Sequence, residues 1–172
     1  CMFNHYILNK TIIFTFLFIT LFLGFFLNEN SSGGAITDFQ MRLEIINSFN
    51  DDFLKTFLNY NKYSDRHSPL ILILITILLK FGFDLNSIRF LHLFIVPLIV
   101  FVTYKCLISK YGKKCSNIFF LISGTIFFLS PTIRSISIWP DSRLLGLLIF
   151  LISLFFFLEF NNKPKFKYAI YN

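Results

Sequence analysis

Five apolar blocks, at residues 11–27, 69–83, 88–108, 118–130 and 144–160, divide this chain, and one long polar stretch, residues 28–68, separates the first block from the rest. Apolar content gathered into runs is the signature of membrane-spanning helices. A helix needs about 20 residues to cross a hydrocarbon core roughly 30 Å thick. The first, third and fifth blocks reach that length or nearly so. The fourth reaches it if Ser116, Asn117 and the segment up to Ile133 join it. The second is short: it opens at Pro69, a favourable first-turn residue, and closes at Lys80-Phe81-Gly82-Phe83-Asp84.

The charge pattern agrees with a membrane setting. Soluble domains carry about 25% charged residues; this chain carries 15%, with 26 Phe and a mean hydropathy of +0.68. Its net charge of +7 would suggest nucleic acid in a soluble protein. Here the Lys and Arg residues cluster at the ends of apolar runs, so they read as orientation signals, and nucleic acid is excluded as a partner. Cys1, Cys106 and Cys115 form no CxxC and no paired framework. Block 11–27 follows Lys10 and lacks a small-residue cleavage site after it, so it reads as a retained span. The chain is expected to be the N-terminal part of a longer, multi-pass integral membrane protein.

Charge parity sets the expected topology. Three flanks are basic: Lys10; the turn with Lys105, Lys110, Lys113 and Lys114; and the tail with Lys163, Lys165 and Lys167. If residues 69–83 do not cross, all three fall on one side, as cytoplasmic flanks should. The expected fold is therefore all-α: a polytopic membrane helical bundle of about four transmembrane helices, at 11–27, 88–108, 116–133 and 143–160. The N-terminus is cytoplasmic. An amphipathic outer loop, 28–87, carries juxtamembrane helices at about 35–49, 51–60 and 69–83. In the first of these, Ile36, Phe39, Leu43, Ile46 and Phe49 recur at helical spacing, with Asp38, Arg42 and Glu44 off the stripe, which suits a helix lying in the interface. Asp51 is placed to cap the second, which carries Phe53, Leu54, Phe57 and Leu58.

Three groups of residues can carry chemistry. Asp38 follows the first span beyond Gly33-Gly34 and can act as a general base at the membrane face. From position alone, a solvated acid at a helix start is the stronger reading. Asp65-Arg66-His67 stands just before the short block. Arg offers a planar fork to phosphate oxygens, His a proton near neutral pH, and a helix start favours anions. A charged interfacial anchor is the plainer alternative. Arg134, Asp141 and Arg143 flank Trp139-Pro140 in the last outer loop, where they either cap and anchor a helix or complete a polar cluster with Asp38 and Arg66. Arg89 and His92 start the second span from the same face and can join it. Three histidines leave few ligands for zinc, and no HExxH, Walker loop or GxSxG occurs.

In this order the elements resemble the N-terminal region of the glycosyltransferase C superfamily. The likeness is to its dolichyl-phosphate-mannose protein mannosyltransferase and aminoarabinose transferase-like members of bacteria. Thr37-Asp38-Phe39 resembles their acidic motif after the first span. Asp65-Arg66-His67-Ser68-Pro69-Leu70 resembles the His-Pro-Pro-Leu-like start of the juxtamembrane helix. Ile88-Arg89-Phe90-Leu91 resembles the Arg-Leu start of the second span, and Leu129-Ser130-Pro131 with Trp139-Pro140-Asp141 resembles the junction of the third and fourth. Phe39 stands where a second acid often sits, and Ser68 replaces the first Pro.

The resemblance implies transfer of a sugar from a polyprenyl-phosphate-linked donor to a glycan, lipid or protein acceptor on the outer face of a bacterial inner membrane. Asp38 would be the catalytic base. Arg66, His67 and Arg89 would bind the donor phosphate. Asp65, Asp141, Arg143 and Arg134 would line the cavity. No resident cofactor is implied beyond a divalent metal, which some members use. A non-enzymatic transporter or assembly subunit for lipid-linked glycans, and a polysaccharide polymerase-like protein, are the alternatives. Transporters place functional charges near the midplane, whereas the acids here lie at or near span ends.

Overall fold

The computed structural model describes residues 2–31, 33–63, 65, 67–162 and 164, and of residues 2–10 the backbone alone. Every regular element among them is helical: α1 (Met2–Phe26), α2 (Ala35–Asp51), α3 (Phe53–Leu58), α4 (Leu70–Lys80), α5 (Leu85–Leu93), α6 (Ile95–Tyr111), α7 (Ser116–Leu129), α8 (Pro131–Ile138) and α9 (Ser142–Asn162), with 3-10 turns at Tyr60–Tyr63 and Lys113–Cys115.

Local chemistry sets the boundaries. Asp84 caps α5, its carboxylate accepting from the Asn86 N–H at 3.2 Å. Ser130 caps α8 and Pro131 fills its first turn. Gly112, at φ 78°, ends α6 in a conformation that favours glycine. The cap of α3 is Asp52, not the expected Asp51: Asp51 completes the last turn of α2, so its neighbour is the first residue free to leave helical geometry and accept from Lys55 N–H at 3.0 Å.

Among the described residues, two helical runs are long and apolar enough to cross a membrane, Leu85–Tyr111 and Ser142–Asn162. A third forms if Lys113–Leu129 and Pro131–Ile138, bent by 64°, count as one span. Thr11–Phe26 and Leu70–Lys80 are shorter apolar helices. The expected span 88–108 therefore begins one turn earlier, where Asp84 caps it. The expected span 116–133 is broken at Ser130, because a proline after a capping serine starts a new helix instead of continuing the old one.

Side-chain contacts fix the helix directions. Cys106 Sγ lies 3.6 Å from Leu151 O, and Ser109 bonds Glu159 at 2.8 Å and Asn162 at 2.7 Å, so α6 and α9 run parallel. The chain returns between them through α7: Tyr111 lies against Phe119, and Tyr104 edge-on to Phe120, at the start of that helix. In α1, Phe14 meets Phe120 and Phe128, Phe18 meets Phe94, and Phe22 and Phe25 both meet Phe90. Thus α1 runs antiparallel to α5–α6, and its end meets the beginning of α5. The excursion through α2, α3 and α4 leaves and rejoins the bundle at that end.

Within the excursion, α2 packs on α4. Phe39, Ile46 and Phe49 of the expected stripe are buried, joined by Ile45, and Ile71, Leu72 and Ile75 face them in the core. Arg42, expected off the stripe, is buried as well, at 7% exposure, because it sits between two carboxylates.

Candidate functional site

Where α1 ends and α5 begins, carboxylates and guanidiniums alternate in one continuous row. Asp38, in the first turn of α2, lies 3.5 Å from Arg143 Nη2. Arg143 grips Asp141 through Nε at 2.8 Å, Nη2 at 2.9 Å and its own backbone N–H at 2.8 Å. Asp141 accepts from Arg42 Nη1 at 2.9 Å, and Arg42 Nε lies 3.3 Å from Asp65 Oδ2. The row joins α2, the segment before α4 and the start of α9.

The Asp38–Arg143 end of this row is half-exposed, and the rest, through Asp141 and Arg42 to Asp65, is buried. The Asp141 side chain is 3% exposed, against 41% for Asp38. Burial pushes the Asp141 carboxyl upward, but hydrogen bonds from Arg143 and Arg42 outweigh it and hold the group well below the usual carboxylate range. Asp38 has one long, exposed contact. It borders a cleft of about 560 Å³ lined by Asp38, Met41, Arg42, Tyr63, Asp65 and His67, among others, a volume ordinary for a small-molecule site. The Asp65 carboxylate accepts from the His67 N–H at 3.0 Å, and the Tyr60 hydroxyl donates to the His67 carbonyl at 3.0 Å, which pins the segment leading into α4. Burial, then the charge of Asp65, pushes the Tyr60 hydroxyl up to about 12.

The remaining expected site residues lie apart from the row. Arg134 forms a two-pronged ion pair with Glu29 and donates to the Thr20 carbonyl at 2.9 Å and the Phe128 carbonyl at 3.1 Å. The hydrogen bond from Arg134 holds the Glu29 carboxyl below its ordinary value. Arg89 donates to Ile138 O at 3.1 Å, Asn28 Oδ1 at 2.9 Å and Asn86 Oδ1 at 3.2 Å, with its guanidinium 3.8 Å from the Trp139 ring centroid. His92 is buried, its Nδ1 3.0 Å from Ser137 O. Arg66 lies outside the described residues, as do Cys1, Lys163, Lys165, Lys167 and the side chain of Lys10. Among the described residues no group of three or more His, Cys, Asp and Glu is placed to hold a metal ion.

Comparison with protein-family models, curated proteins and solved structures finds no match to this chain. The site therefore rests on its own geometry.

Two members of these networks escaped the sequence reading. Arg42 lies one helical turn beyond Asp38, and its position between Phe39 and Ile46 on the apolar side was the available signal. Glu29 is the first acid in the chain, directly after the first span. An acid so close to the end of an apolar helix calls for a cationic partner.

Chemically, the row sorts its charges. Arg42 and Asp141 are dry and mutually satisfied, so they serve as a fixed electrostatic frame. Asp38 and His67 border the cleft.

Proposed function

We propose that this chain carries an outer-face site for sugar transfer from a polyprenyl-phosphate donor, with Asp38 as general base. The observation that carries the proposal is the ion-pair row that joins three separated segments at one end of the bundle, with Asp38, its most exposed carboxylate, bordering the cleft that α2 forms with the segment before α4. In the reaction, an Asp38 oxygen accepts the proton of an acceptor hydroxyl or amine as that acceptor atom bonds to the anomeric carbon. The bond from that carbon to the phosphate oxygen breaks, and polyprenyl phosphate leaves with the electron pair. His67 and Arg66 are the proposed contacts for the charge that develops on it. Directly after them, α4 leaves Leu70, Leu74 and Ile77 exposed along one face, a surface suited to an isoprenoid tail.

The topology that accompanies this proposal has four spans, α1, α5–α6, α7–α8 and α9. It is supported by their alternating directions. If α6 and α9 both cross and run parallel, the chain between them must cross back, so the bent pair α7–α8 acts as one broken span. The turn with Lys113 and Lys114 then lies at the end opposite the cleft, on the cytoplasmic side.

Asp38→Asn in the whole protein tests the proposal. Sugar transfer from a lipid-phosphate donor should fall by at least a thousandfold while membrane insertion is unchanged. Near-normal transfer removes Asp38 from the role of base.

A further inference from the structure

The corner at residues 139–141 delivers Asp141 and Arg143 to the ion-pair row, and it follows a helix of eight residues whose final carbonyls, Ser137 O and Ile138 O, lie past its last intrahelical acceptor, Ser135 O, which takes the Trp139 N–H. Two side chains of α5 take two of those carbonyls in succession. His92 Nδ1 lies 3.0 Å from Ser137 O, and Arg89 Nε lies 3.1 Å from Ile138 O. Both side chains are 6% exposed. Because a carbonyl oxygen only accepts, His92 donates from Nδ1, and its Nε2 is the bare nitrogen. On the other side of the corner, Trp139 Nε1 donates to Glu29 O at 3.1 Å, while the Arg89 guanidinium covers the indole face. Each of these bonds joins segments far apart in sequence, and none includes a group that borders the cleft.

We infer that His92 and Arg89 are positioning residues: a two-point clamp from α5 that fixes the end of α8 and so sets Asp141 and Arg143 against Asp38. The inference places them one layer behind the reacting groups and takes Arg89 away from the donor phosphate. Its link to catalysis rests on the sugar-transfer reading; the clamp itself does not.

Trp139 is the single tryptophan of these 172 residues, so in a whole protein with any tryptophan beyond them replaced by Phe its fluorescence reports the corner without any substrate. In detergent-solubilised whole protein, His92→Asn keeps a donor at the position of Nδ1, whereas His92→Gln moves it to the position of Nε2 and His92→Leu removes it. Acrylamide quenching of Trp139 should match wild type in the Asn variant. It should rise about two- to threefold in the Gln and Leu variants and in Arg89→Lys, which loses the planar fork. With a lipid-phosphate sugar donor, turnover should follow the same order at unchanged KM. Equal quenching in the Asn and Gln variants overturns the clamp, even if the Leu variant fails to fold. Loosened Trp139 with undiminished turnover overturns its positioning role. Loosening in a protein that transfers no sugar from a lipid-phosphate donor leaves the clamp standing and removes the sugar-transfer reading.

Discussion

Asp141 draws its charge state from two guanidiniums that reach it from different helices, Arg42 on α2 and Arg143 on α9. Its folded-state acidity lies below the ordinary value of 3.8. A carboxyl depressed in this way stabilises the fold fully above pH 3.8, and that contribution is lost as pH falls below 3.8 through the folded value. Asp141→Asn should therefore reduce the slope of the acid limb in a stability–pH profile. It also strips Arg42 of one of two carboxylates in a dry site, which should lower stability near neutral pH by about 3 kcal/mol. Thermal unfolding in detergent at a series of pH values measures both effects. A profile parallel to wild type, merely offset downward, would mean that Asp141 is not the titrating group. Asp38, with one long contact to Arg143, should give little change in the same assay, since exposed pairs contribute about 0–1 kcal/mol.

Among the elements, the broken pair α7–α8 places the greatest demand on its surroundings. A 64° bend within an apolar run frees backbone carbonyls that lipid cannot satisfy. Arg134 supplies the remedy by donating to Phe128 O in the last turn of α7 while pairing with Glu29 beyond α1. That bridge passes directly over Gly24. A Cβ built there would collide with the Glu29 carboxylate and sit 2.8 Å from Arg134 Nη2. Gly24→Ala should thus cost about 1–3 kcal/mol through overpacking, whereas Gly146→Ala, with open space around its Cβ, should be neutral or slightly stabilising. Chemical denaturation of the two variants side by side checks the contrast. Equal stabilities would show that the Glu29–Arg134 bridge yields without loss. Ser130→Ala, which removes the cap of α8, should cost about 1 kcal/mol by the same measurement.

For the whole molecule, the decisive geometry is that α1 ends where α5 begins, tied by Arg89 to Asn28 and by Phe25 to Phe90. An excursion that starts and finishes at one end of a bundle fits an α4 that stays on that side, and its 11 residues are short for a span. A cysteine introduced at Asn61 should react with an impermeant thiol reagent from outside intact cells, and one at Gly112 should not. Labelling of the Gly112 position from outside would reverse the four-span topology and make α4 a span. Much of this was legible in the sequence. Long apolar runs dictate helices, because hydrogen-bond satisfaction in lipid is a local property of a segment. The break at Ser130-Pro131 was not read as a break, although its residues announce one, since hydropathy averaged over a window passes through a single proline. The ion-pair row was legible only in part. Asp38, Asp65, Asp141 and Arg143 stand out as charges at the edges of apolar blocks, whereas Arg42 is a single charge within an amphipathic helix, and only its spacing from Phe39 and Ile46 marks it as inward-facing. The role of His92 and Arg89 was out of reach, because a side chain's carbonyl partner 45 or 49 residues away is fixed by how helices cross. The sequence by itself determined that the chain is helical, where its apolar segments lie and which ends carry charge. Only the tertiary structure decided which charges are buried together and which line the cleft, because pairing across distant segments depends on helix packing and on the burial it produces.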